Sequence, residues 1–120
     1  MQQNKRQTGA AYEEQAARFL MEQGYQILER NYRCRQGEID VIARDGSYLV
    51  FVEVKYRSSR QAGHPMEAVN RSKQRKIIRT AMYYCYQQKV ADTQACRFDV
   101  VSILGDQTEL VKHAFEVQRL

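Results

Sequence analysis

Residues 48–56 limit the possible folds of the chain more than any other segment. They form a predicted strand whose first residues are apolar on both faces. A strand with two apolar faces is typical of the centre of a sheet, where layers cover both sides. Its charged residues, Glu53 and Lys55, come only near the end. The segment therefore predicts the central strand of a layered α/β domain, with a charged end.

Six further elements are predicted around this strand. Small and apolar residues recur at helical spacing over 9–23, and Gly24 is placed to end that helix. The remaining elements are strands at 25–32, 38–43, 95–104 and 109–117, and an amphipathic helix at about 66–88. The order is α-β-β-β-α-β-β, and the strand-helix-strand succession predicts a right-handed crossover that makes the 95–104 strand parallel to a partner.

The chain has 120 residues, of which 43% are hydrophobic, and this suffices for one domain with its own core. No apolar stretch approaches the roughly 20 residues that cross a bilayer, and residues 1–8 lack the apolar segment of a secretory signal. Cys34, Cys85 and Cys96 lack the close pairing of zinc sites or redox motifs. We therefore expect a single cytoplasmic domain over residues 1–120, with free thiols and no membrane partner.

Nineteen Lys and Arg against fourteen Asp and Glu give a formal net charge of +5. This excess favours a polyanionic partner, because phosphates attract cations over long distances and their binding releases counterions. Basic residues occur in a predicted loop at 57–64 and on the outer face of the second helix. Arg57, Arg60, Lys73 and Lys76 are therefore candidate nucleic-acid contacts, with a merely solvated surface as the alternative. Lys73 is preferred because it lies nearest the start of the helix.

Three charged side chains are predicted to converge on one face of the second and third strands. A tight hairpin between these strands places Asp40 opposite Phe51. It also places Glu38 opposite Glu53, so that Asp40 and Glu53 become diagonal neighbours about 7–8 Å apart at the backbone. Lys55 projects from the same face as Glu53. A slip of one residue would turn Glu53 to the other face, so the prediction depends on the register.

Two carboxylates and a lysine in this arrangement suit phosphodiester hydrolysis. Oxygen ligands favour Mg²⁺ or Mn²⁺ over zinc, and such ions keep several waters and bind substrate phosphate. A metal held by Asp40 and Glu53 polarises a phosphoryl oxygen and lowers the pKa of a bound water, while Lys55 orients that water or stabilises developing charge. A structural salt bridge between Glu53 and Lys55 is the alternative interpretation.

Two further acids are expected to have specific partners. Glu13 stands in the middle of the apolar stripe of the first helix, where a carboxylate needs a partner. It is either a buried acid bonded to backbone or to an arginine, or an acid that acts beside the metal. Asp99 is expected to pair with a neighbouring arginine. His64 and His113 are too far apart in the sequence to suggest a histidine-metal nuclease.

Motifs spread over nearly the whole chain resemble those of one known family. They are Gly9-x-x-x-Glu13-x-x-Ala16, Gly37-Glu38-Ile39-Asp40-Val41-Ile42, Val50-Phe51-Val52-Glu53-Val54-Lys55-Tyr56-Arg57, Glu67-Ala68-Val69 with Lys73, and Arg97-Phe98-Asp99-Val100-Val101. Through them the chain resembles the YraN-like family of small uncharacterised bacterial proteins, which are predicted nucleases. That family looks like a member of the PD-(D/E)xK superfamily and is similar in its core to archaeal Holliday-junction resolvases.

The resemblance implies a restriction-endonuclease-like α/β fold with an αβββαβ core, in which helices flank a central mixed sheet. It also implies catalysis with Mg²⁺ or Mn²⁺ and puts Asp40, Glu53 and Lys55 in the three signature positions. Glu13 matches a helix acid that assists metal binding in some relatives. The backbone carbonyl of Val54 is implied as a further metal ligand.

Three functions are consistent with these features. The first is a metal-dependent endonuclease that cleaves DNA, including branched or structured DNA. The second is a non-catalytic nucleic-acid-binding module on the same fold, against which the intact acidic set argues. The third is a subunit of a DNA repair or recombination assembly, with a homodimer formed through the third strand or the last helix.

Overall fold

The computed structural model describes residues 5–57 and 69–117, with side chains from residue 9 onward. The elements in these ranges are α1 (Lys5–Glu22), β1 (Gln26–Cys34), β2 (Gly37–Asp45), β3 (Tyr48–Tyr56), α2 (Arg71–Gln87), β4 (Cys96–Leu104) and β5 (Gln107–Phe115). The predicted order of helices and strands is confirmed.

The strands of the described ranges form one mixed sheet in the order β1-β2-β3-β4-β5. β3 and β4 run parallel, and the other neighbouring strands are antiparallel. The parallel pair is connected through α2, as the crossover rule predicts. β3 is central and residues 49–52 are at most 2% exposed. β3 is paired with β2 and β4, and the homodimer contact through this strand stays a prediction.

The two helices cover opposite faces of the sheet. The core cluster on the α1 side contains Ala16, Leu20, Tyr25, Val41, Ala43, Val50, Val52, Val101 and Ile103. The larger cluster, on the α2 side, includes Ile39, Ile42, Leu49, Phe51, Ile77, Ile78, Ala81, Tyr84, Phe98 and Val100. Neighbouring residues of β3, such as Val50 and Phe51, alternate between the two clusters, which is why this strand is apolar on both faces. The predicted restriction-endonuclease-like core, with helices flanking a mixed sheet, is confirmed.

Helix α1 ends where the sequence predicts. Gly24 has a φ of 92°, a left-handed conformation that glycine adopts without strain. The N–H of Tyr25 donates to the carbonyl of Leu20 at 2.9 Å, which satisfies a carbonyl of the last turn. Neither helix in the described ranges is long and apolar enough to span a membrane.

Helix α2 begins later than predicted. Asn70 is extended (φ −74°, ψ 172°), and its side chain accepts a hydrogen bond from the N–H of Lys73 at 2.9 Å. This is an N-cap, so the prediction of helix at residues 69–70 is wrong. The rest of the predicted first turn, including Pro65, lies outside the described residues. The cap fixes Lys73 in the first turn of the helix.

Close packing against β2 also fixes the position of α2. A Cβ atom at Gly37 would lie 2.9 Å from Oγ1 of Thr80, and the φ of Gly37 is 147°. Both the close approach and the backbone conformation therefore require glycine at this position. The middle of α2 is held beside the start of β2 in this way.

The β2–β3 hairpin differs from the predicted pairing by two residues. Its turn consists of Gly46, which has a φ of 60°, and Ser47, so Asp45 pairs directly with Tyr48. The predicted pairings of Asp40 with Phe51 and of Glu38 with Glu53 are therefore wrong.

The consequence of this shift is small for the predicted site. The recorded ladder ends one residue before Asp40 on β2 and one residue before Glu53 on β3. A displacement of two residues returns each side chain to the same face of the strand. Asp40 and Glu53 therefore lie on the same face of the sheet as predicted, although the predicted register is wrong.

Candidate functional site

The carboxyl groups of Asp40 and Glu53 meet where β2 and β3 separate. Oδ2 of Asp40 accepts a hydrogen bond from the backbone N–H of Val54 at 2.8 Å, so the Asp40 side chain reaches across to β3. Glu53 lies within hydrogen-bonding contact of Asp40 and is only 7% exposed. Two acids from adjacent strands therefore share one partly buried position.

This arrangement is unfavourable for two negative charges. Burial, and after it the negative charge of Glu53, raises the pKa of Asp40 to about 7, although the hydrogen bond from Val54 acts in the opposite direction. The pair therefore attracts a proton or a cation.

Lys73 supplies a positive charge to this pair. Its Nζ lies 2.6 Å from Oε1 of Glu53, and the side chains of Lys73 and Glu53 are 39% and 8% exposed. Burial lowers the pKa of Lys73, but the hydrogen bond and charge of Glu53 outweigh that effect and the pKa is raised overall. The alternative interpretation was a structural salt bridge between Glu53 and Lys55. It is wrong in its partner, because Glu53 forms its ion pair with Lys73.

Lys55 completes the group on β3. Burial, and next its contact with Lys73, lowers the pKa of the Lys55 amine, while the charges of Glu53 and Asp40 act in the opposite direction. All three residues of the predicted Asp40, Glu53 and Lys55 set therefore lie together. Their catalytic roles stay predictions.

The raised pKa of Asp40 leads to a prediction for stability. A carboxyl that binds its proton more tightly in the folded chain destabilises that chain as the pH rises from its ordinary pKa of 3.8 towards 7. We expect Asp40→Asn to stabilise the metal-free protein by about 4 kcal/mol at pH 8 and by only about 0.5 kcal/mol at pH 4. Urea unfolding with a chelator measures both values. Asp106→Asn, at an exposed turn, is the control, and an Asp40→Asn effect that does not vary with pH would contradict the prediction.

A small pocket of about 160 Å³ opens beside Asp40. It is lined by Gly9, Tyr12, Glu13, Asp40, Val54 and Tyr56. The rings of Tyr12 and Tyr56 stack with their centroids 4.2 Å apart, and Tyr56 is 51% exposed. This aromatic pair is not predictable from the sequence pattern of either segment.

Glu13 lies at this pocket and not within the acid pair. The side-chain amide of Asn31 donates to Oε2 of Glu13 at 3.3 Å, so the partner is neither backbone nor arginine as the structural alternative predicted. Asn31 itself has a φ of 55° in β1. The role of Glu13 beside a metal stays a prediction.

The donor atoms of the acid pair fit a hard divalent cation. Over residues 5–57 and 69–117, no three Asp, Glu, His or Cys side chains are grouped to hold a metal. Mg²⁺ commonly takes only one or two protein carboxylates and fills its other positions with water and substrate phosphate. The N–H and C=O of a strand residue point to the same side, so the Val54 carbonyl is directed towards β2, like the N–H that binds Asp40. Asp40, Glu53 and the Val54 carbonyl remain the predicted ligands.

The predicted nucleic-acid contacts are distributed differently around this site. Lys73 faces Glu53, whereas Lys76 is exposed and borders, together with Lys73, a pocket of about 470 Å³. Arg57 follows β3, and its N–H donates to the carbonyl of Ile103 at 2.8 Å. Arg60 lies outside the described residues.

A separate buried network confirms the pairing predicted for Asp99. Nε and Nη2 of Arg97 contact the two carboxylate oxygens of Asp99 at 2.9 Å each. The Tyr25 hydroxyl donates to Asp99 at 2.6 Å, and Arg97 also contacts Asp45 at 2.7 Å. Among the described residues, no buried side-chain nitrogen or oxygen lacks a hydrogen-bond partner. This network has a structural role, because it connects β4 to Asp45 before the β2–β3 turn and to Tyr25 just after α1.

Comparison with known proteins identifies the family of the chain. The description "Uncharacterised protein family UPF0102" applies to the family model that matches residues 12–103, a range that contains the acid pair and both lysines. A UPF0102 protein of Lachnoclostridium phytofermentans is 52% identical over 113 residues, which cover 94% of this chain and 96% of the relative. A UPF0102 protein of Syntrophus aciditrophicus is 50% identical over 121 residues, covering 98% and 94%, and one of Aeromonas hydrophila is 47% identical over 108 residues, covering 89% and 83%. The chain therefore belongs to the UPF0102 family, which is the YraN-like family indicated by its motifs.

Proposed function

We propose that this protein is a metal-dependent endonuclease that hydrolyses phosphodiester bonds in DNA, with Mg²⁺ or Mn²⁺ bound by Asp40 and Glu53. The observation that carries this proposal is the contact between the buried carboxyl group of Glu53 and the partly buried one of Asp40, with two lysines beside them. Such a pair is costly to the fold in the absence of a cation. Groups with strongly shifted pKa values cluster at functional sites for this reason.

A bound divalent ion supplies a polarised phosphoryl oxygen and a water of lowered pKa. The residues of the chain hold and orient the reactants. The N–H of Val54 fixes the orientation of the Asp40 carboxylate, and the sheet fixes Glu53 next to it. Lys55, whose pKa is lowered by burial and by Lys73, releases a proton more readily than a surface lysine and is suited to proton transfer or to contact with a phosphate oxygen.

Three features support a nucleic acid as the substrate. The chain carries a net charge of +5, which attracts phosphates. Lys76 is exposed on the first part of α2, on the same helix as Lys73. The half-exposed ring of Tyr56, stacked on Tyr12 at the pocket beside Asp40, offers an aromatic surface on which an unpaired base can stack. This last feature favours structured or branched DNA over uninterrupted duplex.

One observation favours a second candidate function. The short ion pair between Lys73 and Glu53 already neutralises part of the acid pair. A protein in which this pair is permanent would bind nucleic acid through its basic residues without cleaving it, alone or as part of a repair or recombination assembly. Binding that persists without metal, and without any cleavage, distinguishes this candidate from the nuclease.

Cleavage assays on a panel of DNA structures test the proposal. We expect purified protein with Mn²⁺ to nick flap or four-way-junction DNA faster than single-stranded or duplex DNA, and a chelator to stop the reaction. The preference over duplex DNA follows from the aromatic surface beside the acid pair, and the preference over single strands is the one that the resemblance to junction resolvases implies. Failure to cleave any of the four substrates with Mg²⁺ or Mn²⁺ would contradict the nuclease, and retained binding in the same samples would support the second candidate.

A further inference from the structure

The ammonium group of Lys73 lies where the acid pair needs positive charge. It is 2.6 Å from Glu53, the charge of Asp40 also acts on it, and the Lys55 amine lies nearby. The N-cap by Asn70 holds Lys73 in the first turn of α2, from which its side chain reaches Glu53 on β3. From the sequence alone, Lys73 is expected only as a nucleic-acid contact.

The two partners of this ion pair differ in their freedom to leave it. Glu53 is paired within the sheet and its side chain is 8% exposed, whereas the side chain of Lys73 is 39% exposed. Lysine has a flexible four-carbon side chain, so its ammonium group moves without any backbone change. If the pair opens, Lys73 is the partner that moves into solvent.

A divalent cation at the acid pair would make the present position of Lys73 unfavourable. Lys73 and Lys55 already repel each other, and that repulsion contributes to the lowered pKa of Lys55. A divalent cation bound by the same carboxylates repels the Lys73 ammonium twice as strongly as a single charge at equal distance. The pocket of about 470 Å³ bordered by Lys73 and Lys76 is open and is also lined by Glu38, so the released ammonium group has room to move and a carboxylate nearby.

We propose that Lys73 is a displaceable counter-ion of the candidate metal site. It neutralises Glu53 and Asp40 in the metal-free protein, and a divalent cation displaces it towards the pocket beside Lys76, where it binds a substrate phosphate. The identity of the displacing ion rests on the proposed function. Metal and nucleic acid then bind cooperatively, because the cation frees a phosphate-binding lysine and the phosphate keeps that lysine away from the cation.

Titration of the full-length, metal-free protein with Mn²⁺ in the absence of DNA tests this inference. We expect Lys73→Gln to bind Mn²⁺ about tenfold more tightly than the wild type, because a competing charge a few ångströms from the ion is removed. Lys73→Arg keeps the charge and should bind Mn²⁺ as the wild type does. Arg79→Gln removes one positive charge from an exposed position on the same helix and should change the affinity less than about twofold, because distant exposed charges are screened.

Thermal unfolding of the same variants separates this role from a merely structural one. Without metal, Lys73→Gln should melt at a lower temperature than the wild type, because Glu53 loses its partner. Saturating Mn²⁺ should raise the melting temperature of Lys73→Gln by more than that of the wild type. A purely structural salt bridge predicts the first shift without the second.

Failure of the Lys73 displacement and failure of the proposed function give different results in these measurements. If the wild type binds Mn²⁺ and Asp40→Asn does not, but Lys73→Gln binds no more tightly than the wild type, the metal site stands and the displacement is wrong. A gain in Arg79→Gln equal to that in Lys73→Gln would also overturn the displacement, since the effect would then reflect net charge. Absence of Mn²⁺ binding in both the wild type and Lys73→Gln, with and without junction DNA, would overturn the displacement and the proposed function together.

Discussion

Asp40→Asn and Glu53→Gln are each expected to lower the rate of Mn²⁺-dependent DNA cleavage by about a thousandfold, equivalent to roughly 4 kcal/mol of transition-state stabilisation. Each substitution keeps the size of the side chain but removes one of two anionic ligands. In Asp40→Asn, the amide oxygen of the new side chain still accepts the hydrogen bond that Val54 gives to Asp40, so the strand geometry should persist. Single-turnover cleavage of a labelled junction under saturating enzyme measures the chemical step in each variant.

A matched control variant tests for a general effect of charge, and the acid variants themselves test for a contaminating nuclease. Glu109→Gln makes the same chemical change at an exposed position on β5 and should leave the cleavage rate within about twofold, because exposed charges at a distance are screened. Equal activity in the wild type, Asp40→Asn and Glu53→Gln would mean that another protein in the preparation cleaves the DNA. A loss in Glu109→Gln as large as in the other two would refute the assignment of the acid pair.

Asp99→Ala is expected to lower the free energy of unfolding by about 3–5 kcal/mol, because it leaves the guanidinium of Arg97 buried without its main partner. Asp99 is completely buried and accepts hydrogen bonds from Arg97, from Tyr25 and from the N–H of His113. Its removal leaves several donors unsatisfied at once. Urea unfolding followed by circular dichroism measures the change.

Smaller substitutions in the same network calibrate this result. Tyr25→Phe removes one hydrogen bond to Asp99 and should cost about 1 kcal/mol. A loss below about 1 kcal/mol for Asp99→Ala would show that Asp45, the other acid in contact with Arg97, compensates by itself. The double variant Asp45→Asn with Asp99→Ala would then show the full cost.

The sequence predicted the elements of this fold because their signals are local. The continuous apolar run at the start of residues 48–56 and the placement of Gly24 depend on near neighbours in the chain, and both predictions were confirmed. The predicted hairpin register was wrong because it depends on which two residues form the turn. Gly46, with its positive φ, is the first residue of the turn and Ser47 the second, whereas the prediction made Gly46 the second. The shift was an even number of residues, so the faces of Asp40 and Glu53 were still predicted correctly.

The partners of the acids were harder to predict because they come from elements distant in sequence. Lys73 reaches Glu53 only because Asn70 caps α2 at that point and the helix packs closely on Gly37. The asparagine was visible in the sequence as a possible N-cap, and that signal would have placed the start of the helix. The stacking of Tyr12 on Tyr56 depends on how α1 crosses the end of β3, for which the sequence carries no local signal.

If Asp40 and Glu53 together bind a divalent cation, crystals of the wild-type protein soaked in Mn²⁺ will show it in diffraction recorded where manganese scatters anomalously. We expect an anomalous peak in contact with both carboxylates and a Lys73 side chain that has moved away from Glu53. A map from saturating Mn²⁺ with no peak at these carboxylates, and with Lys73 still bonded to Glu53, would contradict it.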